Sequence, residues 1–404
     1  LDTINTYKIQ CGAKEEGAVT VSFAKRVAAS ATPERTVAQC IDAALEEERA
    51  YVASVKDRFG EVLEVWDKSA LERHGVRSDR FAYGIFNPKN ITLNPLELSL
   101  GLARACRSRG AVIYEGSPVT SCTKLPKLVP TDATLQTTPS ISSSSSRSAA
   151  VASSLSGGLD ETGSTTWLVT TQQGSVQAKH VVLATNGIPA HLSLKLSLAT
   201  APLVTAMMLT KPIDKQELDA VFTAKCAVFD ERLGLAYFRR VEGNRILFGA
   251  LAKGVPMRRA FMEEKLVADL TATFPSLRGL IHPDVSWQGR LEAKLPVFPL
   301  IGRDEGSGLW YSFGYSGHGL VPTCAAGELL ASAITSLDVK KDGSRHKADE
   351  RYKLWGQVSF GPAAHDLPTF LPPTMLPFGG PLGLIISPLY CKYAELKDVF
   401  DRKA

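Results

Sequence analysis

Hydrophobic residues recur along the chain with two different periods, which separate predicted helices from predicted strands. Residues 33–58 place apolar side chains at helical spacing, and residues 262–274 repeat this pattern up to Pro275. Each segment predicts an amphipathic helix with one face toward a core. Residues 18–23 instead alternate and are rich in β-branched side chains, which predicts a strand.

A helix followed by a strand is predicted after Asn94. The start of a helix is indicated by Asn94, Pro95 and Glu97, which are typical of the N-cap and the first turn. Gly110 is typical of a helix end. The apolar residues 111–115 follow and predict a buried strand. A helix that leads through a glycine into a buried strand is half of a β–α–β crossover, so a parallel sheet is expected.

Other strands are predicted beside turn residues. Residues 167–178 predict a hairpin that leads into the apolar strand 181–187, which ends in small polar residues, as expected beside a ligand. Residues 236–249 predict a two-stranded ribbon. Residues 309–313 predict a strand, and a helix rich in Ala and Leu is expected over 324–335.

Composition and charge exclude several classes of protein. The chain has 404 residues, 44% hydrophobic and 22% charged, which favours two folded domains over a disordered chain or a coiled coil. Its net charge of +5 contains no basic block, so no nucleic-acid partner is expected. No apolar run is long enough to predict a membrane span. The seven cysteines are too scattered for a metal site or disulfides, so we expect no metal and reduced thiols, as in a cytoplasmic protein.

The segment after the strand at 309–313 carries the clearest candidate chemistry. Residues 314–319 read Gly-Tyr-Ser-Gly-His-Gly, and three glycines in six residues let backbone N–H groups approach a ligand closely. The spacing is neither a dinucleotide fingerprint nor a Walker loop, and a turn without a ligand is the alternative. Within it, His318 is a candidate catalytic base or hydrogen-bond donor, or a structural loop residue.

Several stretches together match one family in order and spacing. They read YGIFNPKNITLNPLELSLGLARAC, AVIYEGSPV, HVVLATNG, AYFRRVEGNRILFGA, WQGR, IGR and FGYSGHGL. In these stretches the chain resembles the D-amino-acid-oxidase-like FAD-dependent oxidoreductases, and among them the gamma-glutamylputrescine oxidase branch. The combination of LATNG, IGR and GYSGHG at these separations is specific, whereas each motif alone is weak.

The resemblance implies a mixed α/β fold whose two domains are interleaved in sequence. A discontinuous, Rossmann-like FAD-binding domain is expected over residues 95–124, 165–190 and 296–340. A substrate domain built on a mixed antiparallel sheet is expected over residues 12–94 and 191–295.

Two segments are expected to lie outside these domains. Residues 125–164 contain an uninterrupted serine run and few large apolar side chains, so they predict a disordered insertion. Residues 341–404 are expected to form a C-terminal tail that packs on the core.

The resemblance also implies which residues contact the cofactor and the substrate. The residues expected to border FAD are Val119, Ala184, Thr185, Asn186, Gly302, Arg303, Gly314, Tyr315, Ser316, Gly317, His318, Gly319 and Leu320. His318 is expected beside the flavin as a catalytic group. Tyr237 and Arg239 share one face of a predicted strand and are candidates for catalysis through substrate contact, with a structural role as the alternative. Non-covalent FAD is expected, because no cysteine lies between Trp287 and Arg303.

Two departures from the family's pattern bear on function. The family begins with a strand, a GxGxxG loop and a helix, whereas this chain opens at Leu1 without them, so the first β–α–β unit is expected to be missing. Between Trp287 and Arg303 the branch has a Thr and an Asp where this sequence has Lys294 and Pro296. Lys294 is a candidate for oxygen chemistry beside the flavin, or a surface lysine.

The expected activity follows from the resemblance. It is oxidation of the C–N bond of an amine or amino-acid-like substrate, such as a glutamylated polyamine, with hydride transfer to FAD and reoxidation by O₂ or another acceptor. The alternative is a non-catalytic remnant or truncated gene product that acts at most as a binding or scaffold protein. A nicotinamide-linked dehydrogenase is disfavoured, because the chain has no dinucleotide fingerprint.

Overall fold

The computed structural model describes residues 1–125, 166–232, 234–294, 298–304 and 306–337. The predicted tail and residues 126–164 of the predicted insertion lie outside these ranges, as does Pro296. The helices of the described ranges are α1 Asp2–Thr6, α2 Ala24–Ala28, α3 Val37–Phe59, α4 Lys68–Arg73, α5 Pro95–Arg107, α6 Leu194–Ser197, α7 Lys215–Val221, α8 Arg259–Thr273 and α9 Leu320–Thr335.

The strands of the described ranges form three sheets. They are β1 Ala18–Phe23, β2 Glu64–Asp67, β3 Phe81–Asn87, β4 Val119–Lys124, β5 Trp167–Thr171, β6 Ser175–Ala178, β7 Val182–Leu183, β8 Ala201–Thr210, β9 Ala227–Asp230, β10 Tyr237–Val241, β11 Arg245–Lys253, β12 Pro283–Ala293, β13 Leu300–Arg303 and β14 Trp310–Phe313.

The largest sheet has eight strands in the order β12-β8-β11-β10-β9-β1-β3-β2. Its neighbours are antiparallel except for β1 and β9, so it is a mixed sheet. One face packs against α8, where Leu266 and Leu270 are fully buried together with Phe248 of the sheet, and Phe238 is nearly so. At the β2 end, α3 covers the opposite face through Leu45.

Two small sheets complete the described fold. One has the order β13-β14-β7 and the other the order β4-β5-β6. Strand β14 pairs in parallel with β7 and in antiparallel fashion with β13. The two sheets share a core that includes Trp167 and Leu183, with Phe313 fully buried between them. The predicted mixed α/β fold is confirmed.

Local sequence signals explain where the long helices begin and end. Thr36 and Gln39 form a reciprocal capping box at the start of α3, and Gly60 ends that helix in the left-handed region. Asn94 accepts hydrogen bonds from two backbone N–H groups of the first turn of α5, as its sequence predicts. The helix predicted from residue 324 begins four residues earlier, at Leu320, with Pro322 in its first turn, where a proline is tolerated.

The strand predicted over residues 111–115 is wrong. These residues are not in a strand, and Val112 and Tyr114 are 71% and 69% exposed. An apolar strand forms only where a neighbouring strand satisfies its backbone groups, and no described strand pairs with this segment. The parallel pairing that the sequence predicted occurs instead between β7 and β14, and β7 is shorter than the predicted strand 181–187.

Candidate functional site

The site lies where β7 and β14 end. Parallel strands finish at the same edge of a sheet, so the turn 184–187 after β7 lies beside the loop 314–319 after β14. We call these segments the strand-end turn and the glycine-rich loop. The eight-stranded sheet reaches the same place, because Ser316 in the loop donates its N–H to the carbonyl of Glu292 over 3.0 Å.

The glycine-rich loop has a backbone that few side chains tolerate. Gly314, Ser316 and Gly317 have φ values of 74°, 52° and 86°. A Cβ atom on Gly314 would lie 3.1 Å from Thr200 Cγ2, so glycine is required there by both conformation and space.

Helix α9 begins directly after the loop and has no side-chain cap. The first backbone N–H groups of a helix have no partner within the helix, and they carry a partial positive charge. Leu320 and Val321 in this first turn are exposed. This helix end can therefore bind a group that carries negative charge or accepts hydrogen bonds.

The strand-end turn is held in place by its own polar groups. Thr185 donates its hydroxyl to the carbonyl of Gly187 over 2.7 Å, and Asn186 donates its side-chain amide to the carbonyl of Arg290 over 3.1 Å. Asn186 adopts a φ of 65°, which Asn tolerates better than most residues. Ala184, Thr185 and Asn186 are exposed, so the turn presents an open surface beside the loop.

His318 is exposed at the rim of the glycine-rich loop. Its Nδ1 lies 3.1 Å from the carbonyl oxygen of Ser316, and its backbone N–H donates to Tyr315. In the Nδ1–H tautomer this contact is a hydrogen bond, and Nε2 is then an acceptor.

Tyr237 lies on the face of the eight-stranded sheet opposite α8. Its ring covers Gly249 so closely that a Cβ atom there would be 2.2 Å from Tyr237 Cε2. Burial raises the pKa of the Tyr237 phenol, and a hydrogen bond with Thr205 opposes this in part. The hydroxyl is therefore a protonated hydrogen-bond donor at neutral pH. On the same sheet, Leu291 reaches the loop, with its Cδ2 3.8 Å from the Cβ position of Gly317.

The other predicted residues lie farther from the loop. Arg239 donates to the carbonyl of Leu93 over 3.2 Å, a contact that anchors the start of α5. Gly302 and Arg303 pair with the first residues of β14, at the end of that strand opposite the loop. Arg303 there donates to the carbonyl of Gly308 over 3.3 Å.

Val119 begins β4 in the other small sheet. Its carbonyl oxygen lies 3.3 Å from His191 Nε2. The structure therefore places Val119 in a different sheet from the strand-end turn and the glycine-rich loop.

The sequence reasoning missed two residues beneath the site, Thr200 and Glu292. Both are buried, and both contact the segments described above. A lone threonine and a lone glutamate without a motif give no sequence signal. Lys294, which the sequence marked, is half-buried, and burial lowers the pKa of its amine.

Comparison with known proteins identifies the family. The profile of the DAO family, described as FAD dependent oxidoreductase, matches residues 4–333. The chain belongs to the FAD-dependent oxidoreductases of the DAO family. The Haemophilus influenzae protein named "Probable oxidoreductase OrdL" is 27% identical over 280 residues, which are 68% of this chain and 54% of that protein. Gamma-glutamylputrescine oxidoreductase of Escherichia coli is 27% identical over 69% of this chain and 56% of its own length.

The chain thus spans about half the length of the curated relatives that it matches. Solved structures share its fold. Glycine oxidase from Geobacillus kaustophilus superposes with a TM-score of 0.57 at 18% identity, over 87% of this chain and 77% of that one. L-proline dehydrogenase from P. horikoshii superposes with a TM-score of 0.56 at 17% identity, over 83% of this chain and 76% of that one.

Membership of the DAO family implies a flavin cofactor, and the site fits one end of it. The uncapped start of α9, directly after the glycine-rich loop, suits the negative charge of a reduced flavin. No second run of glycines precedes a helix among the described residues.

The described residues offer neither a metal site nor a membrane-spanning helix. No three His, Cys, Asp or Glu side chains of the described ranges come together to hold a metal ion. No helix in the part of the chain that the structure describes is long and apolar enough to cross a membrane.

Proposed function

We propose that the chain is an FAD-dependent oxidoreductase that oxidises the C–N bond of an amine or amino acid. The observation that carries this proposal is the meeting of the strand-end turn, the glycine-rich loop and the start of α9 at one edge, within a chain matched by the family profile. When bound, FAD supplies a two-electron acceptor for hydride from the carbon beside the amine nitrogen, and O₂ or another acceptor then reoxidises it.

The chain's own groups hold the reactants. The N–H groups at the start of α9 would stabilise negative charge on a flavin bound at this helix end. The Tyr237 hydroxyl donates a hydrogen bond to the substrate from the sheet opposite the loop, and His318 Nε2 accepts one at the rim. Leu291 packs against the loop from the sheet side and excludes water between the two.

The substrate proposed in finer detail is a glutamylated polyamine. It is supported by the similarity to the Escherichia coli protein named gamma-glutamylputrescine oxidoreductase. A panel of amines tests it. Gamma-glutamylputrescine should reduce the bound flavin faster than glycine or proline, the substrates named for the two solved structures.

The proposed FAD is held without a covalent bond. Cys324 in the first turns of α9 is near the loop in sequence, but its thiol contacts the carbonyl of Leu320 in its own helix over 3.8 Å. Acid precipitation of the loaded protein should leave all of the flavin in the supernatant. Flavin in the pellet would contradict a non-covalent site.

A second candidate function, that of a binding or scaffold protein without redox activity, is favoured by one observation. The outer edge of β7 has no partner strand among the described residues, so the sheet β13-β14-β7 is open on that side. A cofactor sheet with an open edge offers fewer contacts to the rest of an FAD molecule.

One titration separates the two functions. FAD added to the full 404-residue chain should be bound, with quenched flavin fluorescence, and the bound flavin should bleach when an amine substrate is added without O₂. Absence of binding at high micromolar FAD would favour the scaffold function instead.

A further inference from the structure

Thr200 and Glu292 form a buried hydrogen-bonded pair beneath the site. They are 2% and 3% exposed, respectively. Thr200 Oγ1 donates to Glu292 Oε2 over 3.0 Å, and Arg290 Nε donates to Glu292 Oε1 over 3.0 Å. A buried carboxylate is retained at such a position only with partners of this kind, because desolvation of an unpaired charge is costly.

The pair separates the two backbone segments of the site. On one side, the carboxylate lies against Gly187 of the strand-end turn, where a Cβ atom would be 2.4 Å from Glu292 Oε1. On the other side, Thr200 Cγ2 lies 3.1 Å from the Cβ position of Gly314, the first residue of the glycine-rich loop. Because both contacts are made at a glycine, the backbones of the strand-end turn and the glycine-rich loop lie directly against the Thr200–Glu292 pair.

Backbone contacts from the same strand end reinforce this arrangement. The backbone carbonyl of Glu292 accepts a hydrogen bond from the N–H of Ser316 over 3.0 Å. The backbone carbonyl of Arg290 accepts one from the side-chain amide of Asn186 over 3.1 Å. The end of β12 therefore bonds to both segments, and its one buried carboxylate stands between them.

We propose that Glu292, locked by Thr200 and Arg290, is a positioning residue that sets the spacing between the strand-end turn and the glycine-rich loop. The role of these segments as the flavin site rests on the proposed function. The Glu292 carboxylate acts on Gly187 directly and on Gly314 through Thr200, and it takes no part in the chemistry. Loss of its charge or of the Thr200 hydroxyl should loosen both segments and leave the rest of the sheet intact.

Hydrogen exchange of the full chain without added flavin tests this directly. The variants are Glu292→Gln, Thr200→Val and Thr200→Ser. Glu292→Gln and Thr200→Val should speed exchange on the order of tenfold in peptides that contain Ile188 and Ser316, the size expected for loss of one hydrogen bond to a charged group. Thr200→Ser keeps the hydroxyl but removes Cγ2, so it should exchange like the unaltered protein in the peptide that contains Ile188.

Asp269→Asn is the matched control. Asp269 is also a buried carboxylate held by two arginines, but it lies on α8, away from both segments. It should lower global stability while leaving the relative protection of the Ser316 peptide unchanged. Two results would overturn the proposal. One is exchange in Thr200→Val that is as slow at both segments as in the unaltered protein. The other is exchange at both segments that is accelerated as much in Asp269→Asn as in Thr200→Val.

FAD binding gives a second readout. If the unaltered chain binds FAD, Thr200→Val and Glu292→Gln should raise the dissociation constant on the order of tenfold and shift the visible flavin spectrum, whereas Asp269→Asn should do neither. An unchanged constant would overturn the link to the cofactor. If the unaltered chain binds no FAD, the proposed function fails, while the exchange experiment still decides whether Glu292 positions the two segments.

Discussion

The hydroxyl of Ser316 accepts a hydrogen bond from the backbone N–H of Lys294 over 3.0 Å. Ser316 belongs to the glycine-rich loop, and Lys294 follows the last residue of β12 in the eight-stranded sheet. This contact therefore joins the sheet that carries Tyr237 to the loop that precedes α9. Residues far apart in the sequence meet here, and the proposed chemistry depends on that meeting.

Gly314→Ala should weaken FAD binding. Alanine would have to adopt a φ of 74° and place its Cβ 3.1 Å from Thr200 Cγ2, which displaces the loop. We expect the dissociation constant for FAD, measured by fluorescence quenching, to rise by about tenfold or more, as about 1.4 kcal/mol of strain would require.

Gly327→Ala is the control for that variant. A Cβ atom at Gly327, within α9, meets nothing within 4 Å, and alanine favours helix over glycine by about 1 kcal/mol. This variant should bind FAD as the unaltered protein does and melt at the same or a higher temperature. Equal losses in the two variants would show that the loop has no special role.

Tyr237→Phe should impair catalysis without affecting the cofactor. The phenol lies on the sheet face opposite α8, and burial raises its pKa, which keeps the donor proton in place up to alkaline pH. We expect kcat/KM for the amine to fall on the order of tenfold, the cost of one hydrogen bond of about 1.4 kcal/mol, with unchanged FAD affinity. Tyr51→Phe, at an exposed position on α3, should change neither constant.

Asp269→Asn should destabilise the fold. Asp269 on α8 accepts from Arg80 over 2.8 Å and from Arg232 over 2.7 Å, and all three side chains are largely buried. Removal of the charge leaves two buried guanidinium groups short of a partner, which should cost about 3–5 kcal/mol of unfolding free energy in a denaturant titration. Glu46→Gln, which removes an exposed pair with Arg49, should cost less than about 1 kcal/mol.

The carboxylate of Asp304 should make stability depend on acid pH. Burial acts to raise its pKa, but Lys195 and two hydrogen bonds from Ser307 outweigh burial and lower the pKa to about 2. An unfolded Asp has a pKa of about 3.9. The stabilisation is therefore complete above about pH 4 and is lost as the pH falls toward 2.

Melting temperatures between pH 7 and pH 2.5 check this expectation. In Asp304→Asn, the melting temperature should fall less steeply below about pH 4 than it does in the unaltered protein. An identical acid decline in Asp304→Asn would show that other carboxylates account for it.

Local signals in the sequence predicted most elements of the fold. Strand β1 occupies the predicted residues 18–23, and the cap at Asn94 forms as its side chain requires. These features depend on neighbours in the sequence, which a single chain displays. The strand predicted over residues 111–115 was wrong, because it would need a neighbouring strand that no described residue supplies.

The site was predictable only in part. The glycine-rich loop and the small polar residues after β7 carry recognisable patterns, and parallel pairing brings them together. Thr200 and Glu292 carry no pattern, since their importance comes from two glycines that approach them in space. Arg239 matched its predicted face but serves as an anchor for the carbonyl of Leu93, a contact that periodicity does not reveal.

The most direct test of the account is a titration of the full chain with FAD, followed by flavin fluorescence and visible absorbance, for the unaltered protein and for Gly314→Ala. The account predicts saturable binding of one FAD per chain with a structured flavin spectrum, weakened in Gly314→Ala and bleached by an amine in the absence of O₂. Absence of binding, or equal binding by both proteins, would contradict a flavin site at the glycine-rich loop.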